Sequence, residues 1–351
     1  MKKTVAFMLA AALLAALAFS GCAQDGAGGE KRTLSVFNWG DYIDEDVLAM
    51  FEEETGIEVT YSMFETNEDL YTKITSPGGE QYDVIFPSDY IIERLINEGL
   101  LAELDYENIP NMSLIDEKYL DLDFDPDNTY SVPYMWGTVG ILYNTTMVDT
   151  EIDSWYDLWD EHYSKKIFMM DSMRDSIGVA LKMLGYSMNT RTDAEIQEAA
   201  DILRQQKPLV LAYTGDEVKD KMIAGEAALA VLYSGDAATC IEQNPDLAYV
   251  VPVEGSNIWF DNMCVLAGSQ HKSEAEEFIN FMCRTDIAEM NRAYINYSSP
   301  QREVYEALDD EIKSDPVQYP ADEIYQQCEV YLDLGEYTQI YDQIWTEIVA
   351  Y

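Results

Sequence analysis

Short apolar runs alternate with amphipathic stretches along the first third of the chain. Segments rich in β-branched and aromatic residues predict strands, and these are residues 33–38, 57–64 and 82–87. Segments with apolar side chains at helical spacing predict helices, and these are residues 44–55, 67–74 and 90–98. Gly56 and Gly99 follow two of these helices, where glycine is a favourable C-terminal stop.

The alternation continues through the rest of the chain. Further strands are predicted at residues 166–170, 209–213, 228–233 and 247–253. Further helices are predicted at residues 155–161, 176–184 and 192–206. Ser273 and Glu276 have the spacing of a capping box at the start of another amphipathic helix. Strands that alternate with helices predict an α/β fold with crossover helices.

The N-terminal residues predict export. Lys2 and Lys3 precede an apolar run from Val5 to Phe19, which is shorter than the roughly 18 residues that span a membrane. Ser20-Gly21-Cys22 follows and resembles the lipobox of bacterial lipoproteins, although Phe19 replaces the usual leucine. The resemblance implies a signal peptide at residues 1–21, a lipid on Cys22 and a polar tether at residues 22–31. Ordinary secretion with an unmodified Cys22 is the alternative.

Composition narrows the possible partners. The 351 residues contain 21 lysines and arginines against 66 aspartates and glutamates, a formal net charge of −45. Such a field repels nucleic acid and attracts cations, although most of these acids are expected to form an ordinary solvated surface. Chains beyond about 250–300 residues tend to divide their core, which predicts two domains.

Few residues suggest catalysis or metal binding. His162 and His271 lie in polar segments without a nucleophile motif. Apart from Cys22, the cysteines lack Cys-x-x-Cys spacing, and their pairing cannot be deduced; they are Cys240, Cys264, Cys283 and Cys328. We therefore predict no catalytic residue, no metal site and no cofactor.

The acidic run at residues 121–127 resembles a calcium-binding loop only superficially. Pro126 stands where that loop needs glycine, and Val132 stands where it needs glutamate. We predict a surface loop.

Six short segments combine aromatic, polar and carboxylate side chains at predicted strand ends or loop starts. These segments are residues 38–42, 87–90, 171–175, 233–236, 258–261 and 295–300. Together with Asn128-Thr-Tyr-Ser-Val-Pro-Tyr-Met-Trp-Gly137, they resemble the spermidine/putrescine-binding proteins of polyamine ABC importers. The resemblance extends from about Leu34 to the C-terminus and keeps the family order.

This resemblance implies a two-lobed α/β fold of the periplasmic-binding-protein type (type II), with a hinge and a ligand cleft between the lobes. The implied first lobe contains residues 32–138 and 265–308. The implied second lobe contains residues 139–264 and 309–351.

The resemblance also implies the ligand-binding residues. From the first lobe they are Trp39, Tyr42, Ser88 and Tyr90, with Asp41 adding a longer-range field. From the opposite side they are Asp175, Tyr233, Asp236, Trp259 and Asp261, and Tyr297 completes the aromatic box. Ser172 stands where spermidine-type members carry a second acid, and Asp236 stands where putrescine-type members carry one. These two positions favour putrescine slightly.

These residue types suit a polyamine. Each ammonium needs a hydrogen-bond acceptor when it leaves water, and a carboxylate supplies a charge-assisted one. Methylene groups need apolar walls, which contribute about 0.8 kcal/mol per buried CH₂. Tryptophan and tyrosine faces form such walls and attract cations.

Each candidate also has a purely structural interpretation. Trp39, Trp259 and Tyr90 could be core aromatics, and three of the acids could cap helices. Those acids are Asp41 near residue 44, Asp175 before a helix at residue 176, and Asp236. Asp261 is hardest to explain in this way, because it lies between Phe260 and Asn262 without a basic neighbour. Arg174 is expected to support the cleft.

The sequence therefore predicts a monomeric, extracytoplasmic lipoprotein anchored to the cell membrane. It would capture putrescine or spermidine and deliver it to an ABC permease and its ATPase. A binding protein for another solute, such as a sugar, amino acid or metal ion, is the first alternative. A secreted carboxylate-dependent hydrolase is the second, and a ligand sensor for a membrane receptor is the third.

Overall fold

The computed structural model describes residues 31–350. The predicted signal peptide, Cys22 and all of the predicted tether except Lys31 lie outside the described residues. Within the described range, every helix is too short or too polar to cross a bilayer.

Nine strands are described between residues 31 and 350. They are β1 (Thr33–Trp39), β2 (Glu58–Phe64), β3 (Val84–Ile85), β4 (Ser131–Asn144), β5 (Ile167–Met170), β6 (Val210–Thr214), β7 (Leu229–Tyr233), β8 (Leu247–Val250) and β9 (Ile258–Val265).

The α-helices of the same range alternate with the strands and then form the C-terminal part. They are α1 (Glu45–Thr55), α2 (Asn67–Thr75), α3 (Asp89–Asn97), α4 (Met173–Met183), α5 (Asp193–Gln206), α6 (Val218–Ile223), α7 (Ser234–Gln243), α8 (Lys272–Met282), α9 (Thr285–Ile295), α10 (Arg302–Ala307), α11 (Asp310–Lys313), α12 (Asp322–Tyr325) and α13 (Thr338–Ala350).

Most predicted elements are confirmed, and the first helix shows why. Asp44 accepts a hydrogen bond from the Asp46 amide at the start of α1, and Gly56 ends the helix with a φ of 70°. Phe51 is buried on the inner face of α1, and its ring lies 5.1 Å from that of Phe278 in α8.

Three predicted boundaries are wrong. The predicted strand at residues 82–87 is only the two-residue β3. The predicted helix at residues 155–161 is a short 3₁₀ turn at Trp155–Trp159. The helix predicted to start at residue 176 starts at Met173, because Ser172 caps it by accepting a hydrogen bond from the Asp175 amide.

Strand β4 joins two halves of a mixed sheet. Its first part, Ser131–Thr138, pairs with β9, and β9 pairs with β3 beside the parallel strands β1 and β2. Its second part pairs with β7 and β8 from Val139 onward, and the parallel strands β5 and β6 extend that half. This mixed α/β architecture agrees with the two-lobed α/β fold that the sequence resemblance implies.

The strand pairing bears on the predicted lobe boundaries, which remain a prediction. The partners of β4 change between Thr138 and Val139, where the first boundary was placed. The prediction places residues 258–264 in the second lobe, whereas they belong to β9 and pair with β3 and the first part of β4. This pairing favours their assignment to the first lobe.

The predicted capping box of α8 is also wrong. Helix α8 begins at Lys272, so Ser273 is already inside it, and His271 at the N-cap makes no side-chain capping bond. Glu276 is instead buried and accepts hydrogen bonds from the Asp105 amide and the Asn108 side chain, each at 2.8 Å. Lys272 also pairs with it. Glu276 thus attaches a distant loop to α8.

We expect Glu276→Ala to lower the free energy of unfolding by about 2–4 kcal/mol, because it leaves buried donors without an acceptor. Ser273→Ala, in contrast, should change it by less than about 0.5 kcal/mol, since Ser273 is not the cap. Urea denaturation of both variants measures the two values. Equal losses would favour the capping box and contradict the structure.

Candidate functional site

A buried carboxylate on β9 is the centre of the candidate site. Asp261 is 5% exposed and accepts a hydrogen bond of 2.6 Å from the Ser88 hydroxyl. Ser88 occupies the N-cap of α3 but does not cap that helix with its side chain. Asn67 fixes the hydroxyl in place by donating to Ser88 Oγ at 3.0 Å and accepting from the Ser88 amide at 3.2 Å.

Asp261 has no cationic partner among residues 31–350. No lysine, arginine or histidine of the described range forms an ion pair with it. Burial raises the pKa of Asp261 to about 7, although the Ser88 and Tyr42 hydroxyls oppose this shift. The carboxyl is therefore close to half-ionised near neutral pH.

Four aromatic rings form a continuous chain beside Asp261. The Tyr42 ring lies 5.7 Å from Tyr297, which lies 5.0 Å from Trp259, which lies 5.9 Å from Tyr233. Each pair meets edge to face, the arrangement that the ring quadrupoles favour. The structure therefore brings together four of the predicted aromatic residues, and Tyr42, Trp259 and Tyr297 are buried.

A second buried carboxylate lies at the far end of this ring chain. Asp175 accepts hydrogen bonds from the hydroxyls of Ser172 at 2.6 Å, Tyr233 at 3.0 Å and Tyr331 at 3.3 Å. Burial raises the pKa of Asp175, and these donors oppose the shift. The alternative in which Asp175 caps a helix is wrong, since Ser172 is the cap and Asp175 lies in the first turn of α4.

A third carboxylate belongs to the first turn of α7. Asp236 does not cap this helix, because Tyr233 is at the N-cap. It pairs with Lys219, whose Nζ lies 3.2 Å from Asp236 Oδ1. Burial raises the pKa of Asp236, whereas Lys219 and the facing Tyr297 hydroxyl lower it. Asp236 thus lies beside the ring chain but already has a cation.

Tyr90 and Arg174 form the edge of the site. The Tyr90 hydroxyl donates to Glu68 Oε1 at 3.0 Å, and the Tyr90 ring meets Tyr331 edge to face at 6.2 Å. The Arg174 guanidinium lies over both rings, 5.1 Å from Tyr90 and 4.3 Å from Tyr331. It also donates to the Asn189 side chain at 2.9 Å, which agrees with the predicted supporting role.

Trp39 and Asp41 are the remaining candidates from the predicted first lobe. Trp39 donates from Nε1 to the Phe86 carbonyl at 2.8 Å, and its ring lies 4.5 Å from Phe64. Asp41 is exposed in a turn after β1 with a φ of 49°, and α1 is capped by Asp44 instead. Within the described residues, neither side chain makes a hydrogen bond or ring contact to the three acids.

Sequence reasoning missed Asn67, Lys219 and Tyr331. Tyr331 lies in an irregular segment that contacts both sides of the site. The Tyr331 hydroxyl donates a hydrogen bond to Asp175, and the Asp333 amide of the same segment donates to Glu93 of α3 at 2.7 Å. None of the three belongs to a recognisable motif. Their roles depend on contacts between residues far apart in the sequence, which no local pattern reveals.

We expect Asp261→Asn to stabilise the ligand-free protein above pH 7. The folded-state pKa of Asp261 is raised, so the protonated carboxyl is bound more tightly in the folded state than in the unfolded state. This contribution to the free energy of unfolding is fully present below about pH 4 and is lost as the pH rises through about 7. The amide does not ionise, so the melting temperature should rise by about 2–6 °C at pH 8 and change little near pH 4. The control is Asp246→Asn at an exposed position. A variant less stable than the parent at pH 8 would contradict the assigned environment.

Comparison with known proteins identifies the fold and family. The profile of the family described as bacterial extracellular solute-binding proteins matches residues 46–320. The spermidine/putrescine-binding periplasmic protein of Escherichia coli is 33% identical over 351 residues, 100% of this chain and 99% of the relative. The putrescine-binding periplasmic protein PotF of the same species is 29% identical over 83% of this chain and 84% of its own length.

A solved structure agrees with these relatives. The spermidine/putrescine ABC transporter substrate-binding protein PotD of Streptococcus pneumoniae is 40% identical, with a TM-score of 0.80, and the match covers 90% of this chain and 98% of that one. This chain therefore belongs to the family of bacterial extracellular solute-binding proteins.

Proposed function

We propose that this protein is the extracytoplasmic solute-binding component of an ABC importer and that it captures a polyamine, putrescine or spermidine. The observation that carries this proposal is the buried Asp261 carboxylate beside a chain of four aromatic rings, without a cation in the described residues. Relatives that bind spermidine and putrescine support it.

The two buried acids suit the ends of a polyamine. A buried carboxylate without a partner is costly, and an ammonium ion repays that cost by pairing with it. One ammonium would bind Asp261 and another Asp175, because the ring chain connects these two acids. The faces of Trp259 and Tyr297 would cover the methylenes between them and attract the charged ends.

The same arrangement disfavours the alternatives. A sugar would bury Asp261 and Asp175 without neutralising them, which costs free energy. A hydrolase would pair a proton-donating acid, for which Asp261 has a suitable pKa, with a second acid that is free to accept a proton or attack the substrate. Here Asp175 is held by three hydroxyl donors, an arrangement that suits a fixed charge for binding. We therefore propose a binding role without catalysis.

Ligand capture would favour the closed arrangement of the lobes. The rings of Tyr42, Trp259 and Tyr297 are buried against each other, so the ligand has to enter while they are apart. The net charge of −45 would speed the encounter with a cation. The closed monomer would then deliver its ligand to an ABC permease and its ATPase.

Calorimetric titration tests the proposed ligand. Putrescine or spermidine should bind tightly, and a neutral sugar should not. Asp261→Asn should weaken polyamine binding by about 10²–10³-fold, because it removes one partner of a buried charge pair. Asp246→Asn is the matched control at an exposed position and should bind like the parent. Normal binding by Asp261→Asn would refute the site, and sugar binding alone would refute the ligand class.

We further propose that residues 1–21 are a signal peptide and that a lipid on Cys22 anchors the protein to the outer surface of the cell membrane. The support is the sequence resemblance to a lipobox. Cys22→Ser should release the protein into the medium and abolish labelling by a radioactive fatty acid. A substitution of Cys240, a buried free thiol, is the control and should leave both unchanged. Labelling that persists in Cys22→Ser would contradict the anchor.

A further inference from the structure

A lysine of the protein itself forms an ion pair with one of the three site carboxylates. Lys219 lies in α6, and its Nζ is 3.2 Å from Asp236 Oδ1, with 27% and 18% of the two side chains exposed. Few cations are available for such a role, since the chain has 21 lysines and arginines against 66 acids. A partly buried pair beside the ring chain is therefore a specific feature of the site.

The ammonium of Lys219 lies in the field of several acids. Burial works to lower the pKa of Lys219, yet the pKa is raised because the charge of Asp236, followed by those of Asp216 and Asp41, favours the protonated ammonium. Asp41 follows β1, whereas Asp236 begins α7 after β7, so these acids come from different halves of the sheet. The direct contact of Lys219 Nζ is with Asp236, in the half of the sheet that contains β7.

Asp236 is also close enough to the ring chain to serve a ligand. Gly235, the residue before Asp236, packs directly against the Tyr297 ring, where an added Cβ would lie 2.3 Å from the nearest ring atom. The Tyr297 hydroxyl opposes the rise in the pKa of Asp236 that burial causes. Without Lys219, Asp236 would be a third acceptor for a bound ammonium.

We propose that Lys219 is a specificity-determining residue that occupies Asp236 and makes the site prefer a diamine to a triamine. This inference rests on the proposed function. Asp261 and Asp175 neutralise the two ammonium groups of a diamine. A triamine carries a third positive charge, which must either stay unpaired or displace Lys219 from Asp236.

Both outcomes for a triamine are unfavourable. An unpaired ammonium in a buried site bears the full desolvation cost. A displaced Lys219 stays tethered to α6, close to the incoming charge, so the two cations repel each other. A diamine avoids both costs, and it leaves the Lys219–Asp236 pair intact.

The test compares putrescine and spermidine binding by calorimetry in variants of the full chain. Lys219→Met, which keeps the length of the side chain, should raise the affinity for spermidine relative to putrescine by about tenfold or more. Lys219→Gln is a second neutral variant in case the first does not fold. Lys219→Arg keeps the positive charge, so this variant should keep the diamine preference of the parent protein.

Lys221→Met is the matched control on the same helix. Lys221 lies two residues further along α6 and pairs with Glu217 rather than with a site acid. The Lys221→Met substitution removes the same charge from the same helix but leaves the Lys219–Asp236 pair intact. It should therefore leave the ratio of the putrescine and spermidine affinities unchanged. A ratio that stays the same in Lys219→Met and Lys219→Gln would overturn the role of Lys219. A parent protein that binds neither amine would overturn the proposed function as well.

Discussion

The structure of the site depends on a carboxylate that is buried without a cationic partner among residues 31–350. Asp261 is held by Ser88, and Asn67 holds Ser88 through two hydrogen bonds. This arrangement keeps an acid in a largely apolar strand. Burial disfavours the charged carboxylate there and raises its pKa to about 7. A bound cation would remove this unfavourable burial. Groups with strongly shifted pKa values are accordingly concentrated at functional sites.

The sheet topology brings the groups of the site together. Strand β9 carries both Trp259 and Asp261, and it pairs with the part of β4 that precedes the change of partners at Val139. Asp261 and Ser88 also form a bridge between β9 and the start of α3. Strand β7 pairs with the other part of β4 and ends at Tyr233, whose ring meets that of Trp259. The crossing of β4 between the two halves thus places the proposed binding site at their junction.

The sequence predicted most of the elements and suggested candidate site residues, because both leave local signals. Strand and helix periodicity located most elements, and the aromatic–acid segments located Tyr42, Trp259 and Asp261. Helix starts were less accurate, since Ser172 rather than Asp175 caps α4 and a capping box at Ser273 does not form. The Lys219–Asp236 pair joins residues 17 apart, and Tyr331 reaches Asp175 over 156 residues. Such contacts are fixed by packing, so the sequence gives no local sign of them.

Two glycines allow the aromatic rings to form an unbroken chain. A Cβ at Gly235 would lie 2.3 Å from the Tyr297 ring, and a Cβ at Gly137 would lie 2.6 Å from the Trp259 ring. Real Cβ atoms do not approach so closely, so any side chain at these positions would push the rings apart. Gly137 lies on β4 and Gly235 at the start of α7, hence the rings pack directly on backbone at both places. The spacing of Asp261, Asp175 and Asp236 therefore depends on these glycines as much as on the aromatic residues.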